Sequence, residues 1–161
     1  RLLREARPRM KGLLFASANQ KDSAYGRLPD GVELVREQDY ARRGGLDVAI
    51  CSSGTATLEN ALLGVPMVVV YKLSWPTYFV ARALVNVKHI AMANLLAGRG
   101  VVPELIQSDA TAEKMAKEAA RFLNNAALWA RTREELLAIR RSLGEPGCAD
   151  RAARAVLSEV A

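Results

Sequence analysis

The stretch "CSSGTATLENALLGVPMVVVY", residues 51–71, decides the fold. An apolar run ending at Cys51 gives way to Ser52, Ser53, Gly54, Thr55, Ala56 and Thr57, small residues that pack poorly. One acid, Glu59, follows, then a short apolar run, Gly64 and Pro66. The spacing predicts a strand ending at Cys51 and a helix from Thr55 to Leu63. Gly64 suits the left-handed position after a helix, and Pro66 prevents continuation. A second strand then begins. Residues 52–55 are therefore a tight turn from a strand's carboxyl end into a helix N-terminus.

The same alternation runs outward from this stretch. LLFAS (13–17), VELV (32–35), LDVAIC (46–51) and PMVVVY (66–71) are apolar and read as strands, with a weaker one near 89–92. Helical segments are expected at 37–43, 55–63 and 76–87. That pattern predicts an α/β fold, a Rossmann-like, mostly parallel sheet covered on both faces by helices. From about residue 103 the character turns helical. Asp109 or Thr111 can cap a helix carrying Met115, Ala119, Phe122 and Leu123 in register. A second helix, 126–143, ends at Gly144 and Pro146. A third, 149–160, places Ala152, Ala153, Val156, Leu157 and Val160 on one broad face. The whole chain, 1–161, reads as one domain with a helical C-terminal part from about 109.

Composition narrows the partners. The chain has 161 residues, a net charge of +6 and a pI near 9.7, which favours an anionic partner: nucleotide, phospholipid surface or nucleic acid. Nucleic acid is disfavoured, because no basic recognition helix, zinc spacing or aromatic-rich basic strand is present. No apolar run approaches the ~20 residues of a membrane span. Cys51 and Cys148 are not patterned as a disulfide framework, so a reducing, cytoplasmic setting is expected. With one His and two isolated Cys, a metal site is not expected. The opening RLLREARPRMKG lacks a signal-peptide cleavage pattern and reads like a helix already under way, so a fragment is expected.

The turn carries the chemistry. It lies where open α/β sheets bind ligands, and a helix start offers N–H groups and partial positive charge to phosphate. Gly54 lets backbone approach an anion, and Ser52, Ser53, Thr55 and Thr57 add hydroxyls. The simpler alternative is that Ser53 or Thr55 merely caps the helix. Glu59 is not a capping-box acid, since the residue three before it is Ala56. It is four after Thr55, on the same face, where it could accept from a ribose diol or stand as a solvated acid favoured by the helix dipole. Neither GxGxxG nor a P-loop lysine is present, so dinucleotide and ATP-type sites are not indicated.

Elsewhere the side chains have plain readings. His89 is expected partly buried and hydrogen-bonded, and Cys51 packed as a small hydrophobe. Asn94 reads as a turn-former and Arg99 as a loop cation. Trp75, Tyr78 and Phe79 with Arg82 and Lys88 either pack a helix on the sheet or form an apolar, basic surface for acyl chains or a membrane interface.

SGTATLENALLGVPMVVVYKLSWPTYFVARALV followed by NLLAGRGVVPELIQSDAT resembles the lipid-A-disaccharide synthases, over residues 46–111. The resemblance implies one half of a GT-B glycosyltransferase, whose two Rossmann-like domains face a cleft. It implies that this C-terminal part binds the UDP of UDP-2,3-diacylglucosamine. An N-terminal domain would hold the acceptor, 2,3-diacylglucosamine 1-phosphate, and supply the catalytic base. No cofactor or metal is implied. Carried over by motif, Ser53, Gly54, Thr55 and Ala56 hold the pyrophosphate and Glu59 the ribose, while Asn94 and Arg99 lie at the cleft near sugar and phosphates. The family's usual Pro and acid around NLLAGR are Ala93 and Gly100 here. The chain starts at what looks like the domain's second strand. Alone it is expected to bind UDP without transferring sugar. A peripheral place on the inner membrane and a homo-oligomer are compatible with this reading. A different UDP-sugar enzyme of the same architecture, or a non-catalytic nucleotide-binding or assembly module, remains the alternative.

Overall fold

The computed structural model describes residues 1–36, 38–78, 88–145 and 147–159. Five parallel strands form, as the apolar runs require: β1 (Gly12–Ala16), β2 (Val32–Arg36), β3 (Ala49–Ser52), β4 (Met67–Tyr71) and β5 (Glu104–Ile106). They make two sheets rather than one, β1–β2 and β3–β4–β5. β4 is the centre of the second sheet. Its Met67, Val68 and Val69 are almost fully buried, as a strand covered on both faces demands.

The two faces are distinct. Met67 and Val69 point to the face covered by α3 (Thr55–Leu62), α4 (Met92–Ala97) and α6 (Ala126–Ser142), where Ala61, Leu136 and Ile139 close the core. Val68 points to the other face, packed by Ala119 and Phe122 of α5 (Ala112–Asn124) and by Leu3 of α1 (Leu2–Ala6). Gly64, at φ 67, ends α3 as expected. A Cβ there would meet Leu137 at 3.0 Å, so the glycine also lets α6 approach. Thr111, not Asp109, caps α5, accepting from the Lys114 N–H at 3.2 Å.

Three expectations change. Residues 89–91 form no strand. Their N–H groups at Ile90 and Ala91 donate to the Glu104 carboxylate instead of a ladder, and α4 starts at Met92. The missing strand is β5, three residues within PELIQ, too short for its alternation to show. The expected helix at 37–43 begins at Tyr40, capped by Asp39, and forms α2 (Tyr40–Gly44). Trp75–Tyr78 open a helical turn, with the two rings edge to face at 6.0 Å. The rest of the 76–87 expectation, Phe79 and Arg82 included, lies outside the described residues, as does Val160. The last helix, α7 (Cys148–Ser158), forms but buries none of its residues: Val156 is 64% and Leu157 68% exposed.

Candidate functional site

β3 delivers its chain to the site at Ser52, and α3 leaves it at Thr55. The Ser53 N–H donates to the Val70 carbonyl at 3.1 Å, extending the β3–β4 ladder one residue into the turn. The Ser53 hydroxyl donates to the Ile90 carbonyl at 3.1 Å, tying the turn to the segment before α4. Gly54 then takes φ 149, ψ −159, a region that is essentially glycine's alone. A Cβ on Gly54 would meet nothing within 4 Å, so the turn's outer side is open space.

The start of α3 is uncapped. Gly54 occupies the N-cap position, and among the described residues no capping side chain accepts from the first turn. Capping by Ser53 or Thr55 is thereby overturned: Ser53 reaches across to Ile90, and Thr55 is exposed within the helix. Thr57 faces inward, fully buried, donating its hydroxyl to the Gly54 carbonyl at 2.7 Å and accepting from the Met92 N–H at 3.3 Å. The turn is thus buttressed from behind by Ser53 and Thr57. In front, Ser52, Gly54 and Thr55 are exposed and Ala56 is half-buried. N–H groups with partial positive charge, presented on a fixed turn with solvent before it, can take an anion.

Glu59 does not stand alone in solvent. Its Oε2 is paired with Nη1 of Arg43, a residue only 6% exposed that also lies over the Phe15 ring at 5.0 Å. The Glu59 side chain itself stays 32% exposed. Sequence reasoning missed Arg43. Its signal was weak, one of two arginines closing α2 before a glycine pair. Cys51, below the turn, contacts the Met67 sulfur at 3.8 Å, and burial pushes its thiol up to about 11. It packs as a small hydrophobe, not a nucleophile.

The second motif is built differently. Asn94 is 1% exposed. Its Nδ2 donates to the Val102 carbonyl and to Glu104 Oε1, both at 2.8 Å. Its Oδ1 accepts from the N–H groups of Val101 and Val102, at 2.8 and 2.9 Å. Two donors and two lone pairs are all engaged inside the chain. Within the chain, Asn94 closes the loop 98–102. α4 carries the chain down from Met92, beside Thr57, and Arg99 pairs at 3.0 Å with Glu135 of α6. No hydrogen bond or ion pair among the described residues joins Arg99 to residues 52–57.

Glu104 is the missed residue of this region. Its carboxylate accepts from Ile90, Ala91 and Asn94, with His89 Nδ1 at 3.8 Å. His89 is partly buried beside it, as expected. The signal was an acid flanked by apolar residues, VPELI, an unusual place for a charge unless N–H donors surround it. Gln107 plays a similar part. It accepts from the Leu73 N–H at 2.6 Å and donates to the Leu73 carbonyl at 3.1 Å, pinning the chain after β4.

Comparison with known proteins bears on this arrangement. The family described as Lipid-A-disaccharide synthetase matches residues 34–157. A lipid-A-disaccharide synthase of Anaeromyxobacter dehalogenans is 53% identical over 126 residues, 78% of this chain and 33% of the relative. One of Geobacter metallireducens is 41% identical over 161 residues, 98% of this chain and 42% of the relative. The chain thus spans between a third and about two-fifths of the length of these relatives. A crystal structure of the glycosyltransferase of kitacinnamycin superposes with a TM-score of 0.53 at 19% identity, over 86% of this chain and 34% of that one, and shares its fold.

Proposed function

The chain belongs to the lipid-A-disaccharide synthase family, and on that premise we propose that it is the part that holds the UDP-sugar donor. The reaction is the transfer of 2,3-diacylglucosamine from UDP to 2,3-diacylglucosamine 1-phosphate, in lipid A biosynthesis. The observation that carries the reading is the uncapped start of α3 behind an exposed Gly54. The N–H groups of Thr55 and Ala56, with the hydroxyls of Ser52 and Thr55, face the pyrophosphate. Glu59 keeps one oxygen on Arg43 and offers the other to the ribose diol.

In the transfer, an acceptor hydroxyl attacks the anomeric carbon, the bond to the UDP oxygen breaks, and negative charge grows on the pyrophosphate. Donors fixed before the reaction stabilise that charge without reorganising. Ser53 and Thr57 hold the donors in place from behind. Asn94 and Glu104 act one step further back, on the segment that Ser53 and Thr57 contact, and Arg99 pairs with Glu135 of α6. In-line placement of the acceptor and removal of its proton are separate tasks, and no residue at this turn performs them. Among the described residues no helix is long and apolar enough to cross a membrane. The exposed Trp75, Met92, Leu95 and Leu96 suit contact with acyl chains or a bilayer surface.

Calorimetric titration with UDP tests the reading. Binding without added divalent metal, weakened when Gly54 or Glu59 is changed, supports it. Equal affinity in both variants removes the turn from the site. Formation of the acylated disaccharide by residues 1–161 alone would place an acceptor-positioning group in this chain and revise the division of labour.

A further inference from the structure

Among the described residues, Gln107 alone takes a positive φ without being glycine, at 51°. It is 6% exposed, so the side chain is enclosed. Glycine takes that conformation without steric cost, so a glutamine there points to a use for its side chain. The β4–β5 ladder supplies one. The two strands are parallel, and Tyr71 and Ile106 are their last pair. The Val69 N–H donates to the Pro103 carbonyl, so the alternate residues Val69, Tyr71 and Leu73 turn their main chain towards β5. A β5 that ran on would offer the Gln107 carbonyl to the Leu73 N–H. That carbonyl has turned away, and accepts from the Ala110 N–H at 3.2 Å around the 3₁₀ turn Gln107–Asp109. The side-chain amide takes its place: Oε1 accepts from the Leu73 N–H at 2.6 Å, and Nε2 donates to the Leu73 carbonyl at 3.1 Å. A primary amide carries the donor and acceptor of a peptide group, so Gln107 adds a rung to β4 after β5 has stopped.

The rung fixes where the next feature begins. Ser74 follows Leu73 directly. Its hydroxyl bonds the Thr77 hydroxyl at 2.6 Å, and its carbonyl accepts from the Tyr78 N–H at 2.9 Å, closing the helical turn Trp75–Tyr78. One residue thus separates the clamped Leu73 from Trp75, which is 55% exposed and edge to face with Tyr78. The same strand carries the candidate site. The Ser53 N–H bonds the Val70 carbonyl, three residues before Leu73. At ~3.3 Å per residue, the clamp lies about 10 Å further along the strand direction. Gln107 therefore carries β4 past the Ser53–Gly54 turn, on the carboxyl side of the sheet, and sets an exposed indole at its end.

We propose that Gln107 is a positioning residue for the acyl chains of the donor: its amide holds the Ser74–Tyr78 turn where Trp75 meets those chains, and so sets the preference for an acylated over an unacylated UDP-glucosamine. This role rests on the reading of the Ser53–Gly54 turn as a UDP site and extends it from the leaving group to the substituents of the sugar. With the pyrophosphate held at that turn, the sugar and its acyl chains project past the carboxyl ends of the strands, the direction in which β4 is extended. An indole ring offers hydrocarbon a broad, rigid surface and loses little side-chain freedom on contact. A turn already held by the Gln107 amide adds no further ordering cost when the chains arrive.

Calorimetry tests this with three ligands: UDP, UDP-glucosamine, and a UDP-2,3-diacylglucosamine with acyl chains short enough to stay monomeric in solution. The parent should bind the acylated donor about tenfold more tightly than the unacylated one. Gln107→Ala and Trp75→Ala should each cut that ratio about fivefold, while UDP affinity stays within about twofold. The double variant should lose little more than Trp75→Ala alone, because Gln107 acts through Trp75. Gln107→Gly removes the amide and relieves the positive φ, and it should lose the preference as Gln107→Ala does. If Gln107→Ala folds poorly, Gln107→Glu keeps an oxygen for the Leu73 N–H without a donor for its carbonyl, and should show a partial loss. In each Gln107 variant the Leu73 amide should exchange faster with solvent and the Val69 amide should not. An unchanged ratio in Gln107→Ala or Gln107→Gly, or equal losses for UDP and the acylated donor, overturns the proposal. So does a parent that binds UDP and gains nothing from the acyl chains, which leaves the UDP reading standing. A parent that binds no UDP removes both.

Discussion

The turn after β3 and the loop after α4 are both rich in small and polar residues, yet the structure uses them in opposite ways. At Ser52–Thr55 the polar groups behind the turn are bonded and those in front are exposed. At Asn94–Glu104 the side-chain amide and carboxylate are turned inward and bonded to the chain itself. A ligand site needs unsatisfied groups that water currently solvates. A fold-holding loop needs the reverse, since each buried unsatisfied group costs ~1–3 kcal/mol. The same residue types therefore mean different things according to which way the backbone aims them.

The largest expected effect divides the two regions most sharply. Asn94→Ala leaves the Val101 and Val102 N–H groups and the Val102 carbonyl without their partner. Urea unfolding should show a loss of roughly 3–5 kcal/mol. The protein that remains folded should bind UDP within about twofold of the parent, a difference of less than ~0.5 kcal/mol. A variant of normal stability and poor UDP binding would place Asn94 at the cleft.

Glu59→Ala comes next, and its effect should fall on the ligand. UDP affinity is expected to drop by ~1–3 kcal/mol, the scale for a lost charged hydrogen bond. Stability falls too, because Arg43 loses its anion inside the fold. Glu59→Gln keeps a carbonyl oxygen for Arg43 and separates the two effects. It should recover most of the stability and less of the affinity. Calorimetry that finds both variants equal to the parent would leave Glu59 as a partner of Arg43 only.

Gly54→Ala tests the backbone. The Gly54 conformation costs any other residue ~1–3 kcal/mol, and the exposed turn can relax to avoid it. UDP affinity should fall about tenfold, with stability lowered by ~1 kcal/mol. An unchanged affinity would mean that the anion does not approach this turn.

The sequence made the first region legible and the second misleading, for physical reasons. The strand–turn–helix reading of 51–71 rests on local rules: apolar run, small residues, then Gly64 and Pro66 after the helix. Local rules hold where the segment's own backbone bonds decide its shape. The strand expected at 89–92 fails because Glu104, more than ten residues away, takes its N–H groups. Asn94 and Arg99 were read from a motif, and a motif fixes which residues are present without fixing which partners they take within the chain. Arg43 could not have been paired with Glu59 by spacing, since a whole strand, β3, separates their helices.

The smallest expected effect belongs to Arg99, and it settles the comparison from the other side. Arg99 is a basic residue flanked by glycines in a chain that binds an anion in our reading, so charge alone would place it on the phosphates. Geometry argues otherwise: its guanidinium pairs with Glu135, and its side chain is 58% exposed. Exposed pairs of this kind are worth ~0–1 kcal/mol, because water screens the attraction and side-chain freedom is lost. Arg99→Ala should therefore lower stability by less than ~1 kcal/mol. UDP affinity should stay within about twofold at low and at physiological salt, since a distant exposed cation acts only through a field that salt screens. If affinity instead falls tenfold, and the loss shrinks as salt is raised, Arg99 reaches the phosphates in the bound state. The loop after α4 would then move on binding, and the division between an open turn and a closed loop would describe the empty protein alone.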